Sequence, residues 1–230
     1  MKVSLLAGAA LLLFTAGCNR LPGAPKAGVE EVPRPDSITS FKTLYGQNCA
    51  GCHGDNGRNG AAFALNNPVY QAWIDDASLR RIIENGEPGT QMPAFGTKAG
   101  GMLNDAQLDA LVHGMRSEWS KSDAVSGQTL PPYAAAKTGD AAAGKAVYES
   151  ACARCHSDAG NKITDPTYLA LVNDQTLRTI IVAGRPDLGH PDWRSTASGH
   201  PLSDDDITNL TAWLASQRVS APGQPYAEPQ

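Results

Sequence analysis

The chain has 230 residues, 41% hydrophobic but only 6% aromatic, with 19 basic and 23 acidic side chains for a net charge of −4. So few large side chains over that length fit two small units, each needing a staple beyond its own core, better than one large domain. No Lys/Arg stripe able to neutralise phosphates is present, which excludes a nucleic-acid binder.

Residues 1–17 carry Lys2, an apolar run from Val3 to Phe14, and then Ala16 and Gly17 ahead of Cys18. The run is too short to span a membrane and reads as a secretory signal. The junction Thr15-Ala16-Gly17-Cys18 resembles the bacterial lipobox, although Thr15 replaces the usual aliphatic residue. The resemblance implies that Cys18 becomes the lipidated first residue of the mature protein. The alternative is ordinary cleavage nearby, with Cys18 lost or left as a free thiol. No later segment is apolar enough to cross a bilayer, so a lipid would be the only anchor. The expected location is the periplasmic side of a bacterial membrane, with residues 18–36, rich in Pro and Gly, as a flexible tether.

An internal repeat follows. Setting Cys49 over Cys152 places Leu44 over Val147 and Tyr45 over Tyr148, so the helix leading into each cysteine pair ends alike. Leu79-Arg80 then falls over Leu177-Arg178, and Gly86-Glu87-Pro88 over Gly184-Arg185-Pro186. Leu103-Asn104-Asp105 falls over Leu202-Ser203-Asp204, in each case a cap before a final helix. That helix carries Leu108, Leu111, Val112 and Met115 in the first copy and Ile207, Leu210, Trp213 and Leu214 in the second, at helical spacing. The predicted modules are 37–120 and 140–219, each of three main helices with no strand. Residues 121–139, around Pro131 and Pro132, form the linker, and 220–230 a loosely ordered tail.

Each module contains one CxxCH: Cys49-Ala50-Gly51-Cys52-His53 and Cys152-Ala153-Arg154-Cys155-His156. Two thiols so spaced add across two vinyl groups on one porphyrin edge, and the adjacent histidine is carried under the iron as proximal ligand. His53 and His156 would bind through Nε2, each orienting its other nitrogen by a hydrogen bond. The competing readings, a thioredoxin-like redox pair or half of a zinc site, need no following histidine. Two such motifs in an exported chain favour two covalently bound haem c groups.

With motif and flanks together, the chain resembles class I cytochrome c twice over. In tandem it is similar to diheme members such as cytochrome c4 and the diheme subunit of cbb3-type oxidases. The resemblance covers about residues 37–120 and 140–219. It implies an all-α fold in which an N-terminal and a C-terminal helix cross beside a haem crevice.

Class I modules usually take the sixth iron ligand from a methionine followed by proline. Met92-Pro93 supplies it in the first module, Met92 lying 39 residues after His53, with Met102 and Met115 as the other methionines in reach. Met115 is periodic with the last helix and reads as core. The second module has no methionine. Laying Gly86–Pro93 over Gly184–Pro191 puts His190 on Met92 without a gap, and Trp193 on Phe95. The second haem would then be His156/His190, lower in potential than its His53/Met92 neighbour. His200, also followed by proline, and an open iron are the alternatives. His113, on the last helix of the first module, reads as structural or solvent-facing.

Class I cytochromes carry a glycine eight residues before the first haem cysteine, crossed by an aromatic of the C-terminal helix. Gly144 and Trp213 fit in the second module, whereas the first has Phe41 and Gly114 at those places. The small and large partners would thus have exchanged helices, conserving volume.

Two capped irons offer no vacant substrate site, so an electron carrier, or an electron-transfer subunit of a membrane-bound respiratory or photosynthetic complex, is favoured over an enzyme. Its partners would be a redox donor and an acceptor. The alternative is a diheme oxidoreductase of peroxidase or thiosulfate dehydrogenase type, with one reactive haem.

Overall fold

The computed structural model describes residues 32–121, 123–157 and 162–219; Cys18, the signal segment and the 220–230 tail lie outside them. Contacts divide the chain into residues 1–35 and residues 36–230, and every helix discussed below belongs to the second unit. The first module comprises α1 (Phe41–Asn48), α2 (Ala50–His53), α3 (Pro68–Trp73), α4 (Asp76–Asn85) and α5 (Asp105–Trp119). The second repeats the order as α6 (Ala141–Ala151), α7 (Ala153–His156), α8 (Pro166–Ala170), α9 (Asp174–Ala183) and α10 (Asp204–Ser216). Among the described residues there is no strand, only the isolated bridges Gly96–Leu103 and Arg185–His190.

Local chemistry sets these helices. Asn104 and Gln107 form a capping box at α5, as Ser203 and Asp206 do at α10, which satisfies amide groups otherwise orphaned at a helix start. Asn67 and Asp165 cap α3 and α8, each followed by a proline whose missing N–H costs nothing at the first helical position. These two short helices were absent from the sequence reading, although cap plus proline was their signal.

The N- and C-terminal helices of each module cross as the exchanged residues anticipate. A Cβ placed on Gly114 would lie 2.1 Å from Phe41 Cγ, and one on Gly144 would lie 1.9 Å from the Asn209 carbonyl oxygen and 2.8 Å from Trp213 Cβ. Trp119 completes the first crossing, with ring centroids 5.5 Å from Phe41 and 5.1 Å from Tyr45, both near edge-to-face. Trp213 meets Tyr148 at 4.3 Å in the second. Around the crossings Leu108, Leu111, Met115, Ile207 and Leu210 are at most 1% exposed. Each such side chain contributes roughly 1.5–3 kcal/mol by leaving water.

Arginines tie the helices together in both copies. Arg80 reaches Asp105, and the matched Arg178, itself 2% exposed, reaches Asp204. Arg116 donates to the carbonyls of Gln71 and Ile74 and pairs with Asp76. Arg218 does the same for Leu169, Val172 and Asp174.

The segment between the modules is held at several points. Trp73 Nε1 donates to the Pro131 carbonyl at 2.6 Å, while Arg178 and Gln175 from the second module hold the carbonyls of Pro132 and Tyr133. Trp73 and Tyr133 stack at 4.8 Å. Residues 131–133 therefore fill the seam between the modules.

Candidate haem sites

Both CxxCH segments are built the same way. Helix α1 stops at Cys49, whose N–H bonds to Tyr45 O at 2.8 Å, and the chain re-enters a helical turn so that His53 N–H reaches Cys49 O at 3.0 Å. In the second module Cys152 N–H bonds to Tyr148 O at 2.9 Å and His156 N–H to Cys152 O at 3.1 Å. The two cysteines thus sit one turn apart with the histidine next to the second. Matched tyrosines clamp the end of each turn: Tyr45 Oη donates to Gly54 O at 2.8 Å and Tyr148 Oη to His156 O at 3.0 Å.

Cys49 is buried and Cys52 exposed; Cys152 is half-buried and Cys155 exposed. Burial first, then the neighbouring cysteine, pushes the Cys49 thiol up to about 12 and the Cys152 thiol up to about 11. A thioredoxin-type pair needs the reverse, an accessible first thiol with a lowered pKa. No cluster of three or more His, Cys, Asp or Glu side chains able to hold a metal occurs among the described residues.

His53 Nδ1 lies 2.7 Å from the Phe63 carbonyl, which fixes the ring and leaves Nε2 outside that bond. Burial lowers the His53 pKa, only partly opposed by that hydrogen bond, so the imidazole is neutral, the form that binds a metal.

The loops after α4 and α9 carry the candidate sixth ligands in one backbone pattern. Glu87 N–H bonds to Met92 O at 3.1 Å, and Arg185 N–H to His190 O at 3.1 Å. Further on, Phe95 N–H bonds to Ile83 O and Trp193 N–H to Val182 O, while Leu103 and Leu202 return to Phe95 O and Trp193 O. Each loop leaves its helix at a glycine with positive φ, Gly86 at 71° and Gly184 at 68°. A Cβ there would lie 2.7 Å from Met92 O or 2.6 Å from Pro191 O, so these turns require glycine on both counts.

The His156 and His190 rings face each other with centroids 5.9 Å apart. Two imidazoles on opposite sides of one metal, at roughly 2 Å per bond, have centroids roughly 6 Å apart. His190 Nδ1 is buried with no hydrogen bond of normal geometry, so no protein hydrogen bond fixes the ring, and a bond to a metal at the other nitrogen would do so. Burial, and then the charge that His156 would carry, lower the His190 pKa, with the adjacent Pro191 backbone opposing. The residues present therefore fit a haem iron. His200 is exposed and turned onto the Pro201 carbonyl, and His113 is exposed. Met102 is 82% exposed and Met115, at 1%, is core, whereas Met92 is half-buried in the ligand loop.

The seam between the modules passes beside both loops. Asn67 Nδ2 donates to Ala183 O at 2.8 Å and Gly184 O at 3.2 Å, and Asn173 Nδ2 donates to Glu87 Oε1 and Pro88 O, both at 2.8 Å. Sequence reasoning did not anticipate these contacts.

The chain matches the family described as cytochrome c oxidase, cbb3-type, subunit III, over residues 36–113 and again over 139–214. It is 31% identical over 188 residues to the cbb3-type cytochrome c oxidase subunit FixP of Bradyrhizobium sp. (strain ORS 278), covering 72% of this chain and 58% of that one. To subunit CcoP of Azospirillum sp. (strain B510) it is 29% identical over 146 residues, covering 56% and 44%. A solved dihydro-heme d1 dehydrogenase shares 32% identity over 41% of this chain and 18% of its own, with a TM-score of 0.29. The chain spans about half the length of the two oxidase subunits it matches. Two all-helical cytochrome c modules, each with a cysteine pair implying one haem c, account for both family matches, and the chain belongs to the cbb3-type oxidase subunit III family of cytochromes c.

Proposed function

We propose that the protein is a membrane-anchored diheme cytochrome c on the periplasmic side, passing electrons as a carrier or as a subunit of a respiratory or photosynthetic complex. Its domains are 37–120 and 140–219, joined by 121–139, with a lipid on Cys18 as anchor. Cys49, Cys52, His53 and Met92 would hold the first haem, and Cys152, Cys155, His156 and His190 the second. When bound, the haem irons supply one-electron redox chemistry at potentials set by their axial ligands.

The observation that carries this reading is the facing His156/His190 pair, on a loop whose backbone matches the Met92 loop. It leaves the second site closed to substrate on both faces, which favours transfer over catalysis. The protein's own contribution is to orient His53 through Phe63, to aim the candidate ligand loops through Gly86 and Gly184, and to keep the two modules docked. The family match and the oxidase-subunit relatives support a place in a respiratory complex.

Visible and electron paramagnetic resonance spectra with potentiometry test the assignment. Wild type should show two low-spin haems, one of them bis-histidine. His190→Ala should convert that one to high spin, and His200→Ala should change neither. A high-spin, CO-binding iron in wild type would instead favour the diheme oxidoreductase reading. Cys18→Ser should release the protein from the membrane fraction.

A further inference from the structure

The two ligand loops carry opposite charges at one matched position. Glu87 pairs by backbone with Met92 and Arg185 pairs with His190, each across five residues, so each charge is tied to the candidate ligand of its own module. Neither charge is loose in solvent. Glu87 Oε1 accepts from Asn173 of the other module at 2.8 Å. Arg185 makes a two-point pair with Asp187, Nε to Oδ1 at 3.0 Å and Nη2 to Oδ2 at 2.8 Å, with side chains 12% and 3% exposed. At such burial a charge is screened far less than at the surface.

We propose that Glu87 and Arg185 act as opposed charges that draw the two haem potentials together. Glu87 lowers the first, which methionine ligation raises, and Arg185 raises the second, which bis-histidine ligation lowers. Asp187 tempers Arg185, so the second module holds a pair whose balance is adjustable. This proposal rests on the ligand assignment above. The Glu87 charge reaches beyond its own loop: behind burial, it helps hold the Tyr70 and Tyr133 hydroxyls protonated.

Potentiometric titration of the haem-loaded full chain, following each haem by its own spectrum, tests this in wild type, Glu87→Gln, Arg185→Gln and Asp187→Asn. The quantity read is the equilibrium constant for one electron leaving the second haem, which is oxidised, and arriving on the first, which is reduced, with no proton moved. It should rise between about fourfold and about fifteenfold in Glu87→Gln and Arg185→Gln, and fall by a similar factor in Asp187→Asn. That is the effect of a unit charge over a separation on the order of 10 Å at an effective dielectric of about 20–40. Glu87→Gln keeps an acceptor for Asn173 and should fold even if Arg185→Gln, which strands Asp187, does not. An unchanged or reversed constant in Glu87→Gln, with wild-type spectra retained, overturns the proposal. A wild-type spectrum without one methionine-ligated and one bis-histidine haem overturns the ligand assignment, and the proposal with it.

Discussion

Changing Asn67 to aspartate exchanges one heavy atom, Nδ2 for Oδ2, of a side chain that is 1% exposed and tests whether the modules are docked by specific hydrogen bonds. The substitution keeps Oδ1 as acceptor for the Val69 and Tyr70 amides, at 2.9 and 3.2 Å, so the cap on α3 survives. It removes both donors to Ala183 O and Gly184 O and sets a carboxylate oxygen against those carbonyls. Two lost hydrogen bonds cost roughly 1 kcal/mol each, and leaving buried acceptors unmatched adds roughly 1–3 kcal/mol, for a total of about 3–5 kcal/mol. Asn67→Ser, which can still cap but cannot reach the seam, loses the same bonds without setting a carboxylate against the carbonyls and should cost less than the aspartate. Guanidinium unfolding of the haem-loaded protein, read by tryptophan fluorescence and haem absorbance, measures both. The aspartate should also split the transition, since losing the seam frees each module to unfold on its own. If Asn67→Asp stays within about 0.5 kcal/mol of wild type, the docking argument is wrong.

The helix crossings predict an asymmetry between two glycines. In Gly144→Ala the new Cβ meets the Asn209 backbone, which can yield only if α6 and α10 part, so about 3 kcal/mol should be lost. In Gly114→Ala it meets the Phe41 side chain, Cβ included at 2.5 Å, so α1 must shift as well as the ring, but the nearest atoms are not backbone and about 2 kcal/mol should be lost. Thermal melts by circular dichroism should rank them so, and the opposite order would refute the exchanged-partner account. The Arg185 guanidinium beside Asp187 holds that carboxyl below its ordinary value of about 3.9. A carboxyl lowered on folding stabilises the native state above its unfolded pKa, and that stabilisation is lost as pH falls through the folded value. The stability gap between wild type and Asp187→Asn should therefore close as pH drops below about 4, and a gap independent of pH would show that Asp187 contributes through packing alone.

What the sequence displays best is chemistry tied to short spacing. Cys49, Cys52 and His53 must lie on one turn to do their work, so the motif itself describes the geometry, and the gapless match of His190 to Met92 survives in the backbone hydrogen bonds of the two loops. Equivalence carried across the fold is harder to see. Arg116 and Arg218 perform the same task, capping the chain after α3 and α8, yet the alignment that sets Gly114 over Trp213 puts Trp119, not Arg116, on Arg218. A long side chain can be supplied from about one helical turn earlier or later, because residues three and four apart share a face. What holds residues 121–139 in place is hidden for a related reason. Their proline content signals only an absence of helix, and what fixes them, Trp73, Gln175 and Arg178, lies tens of residues away on both sides.

The seam itself follows from a choice between two capping residues. The repeat places Asn67 over Asp165 and Asp75 over Asn173, so each module starts one helix with asparagine and the other with aspartate. Both residue types accept from the amides of the first turn, and all four do so. Only the asparagines retain an NH2 group once the cap is made. Those are the two that cross the seam, and they land within two residues of matched ground: Asn67 on Ala183 and Gly184, Asn173 on Glu87 and Pro88. Both stretches lie between a helix end and a candidate ligand loop. Docking the modules therefore also pins the two segments from which Met92 and His190 are presented. A change at either asparagine should for that reason register in the spectra of the opposite module's haem as well as in stability.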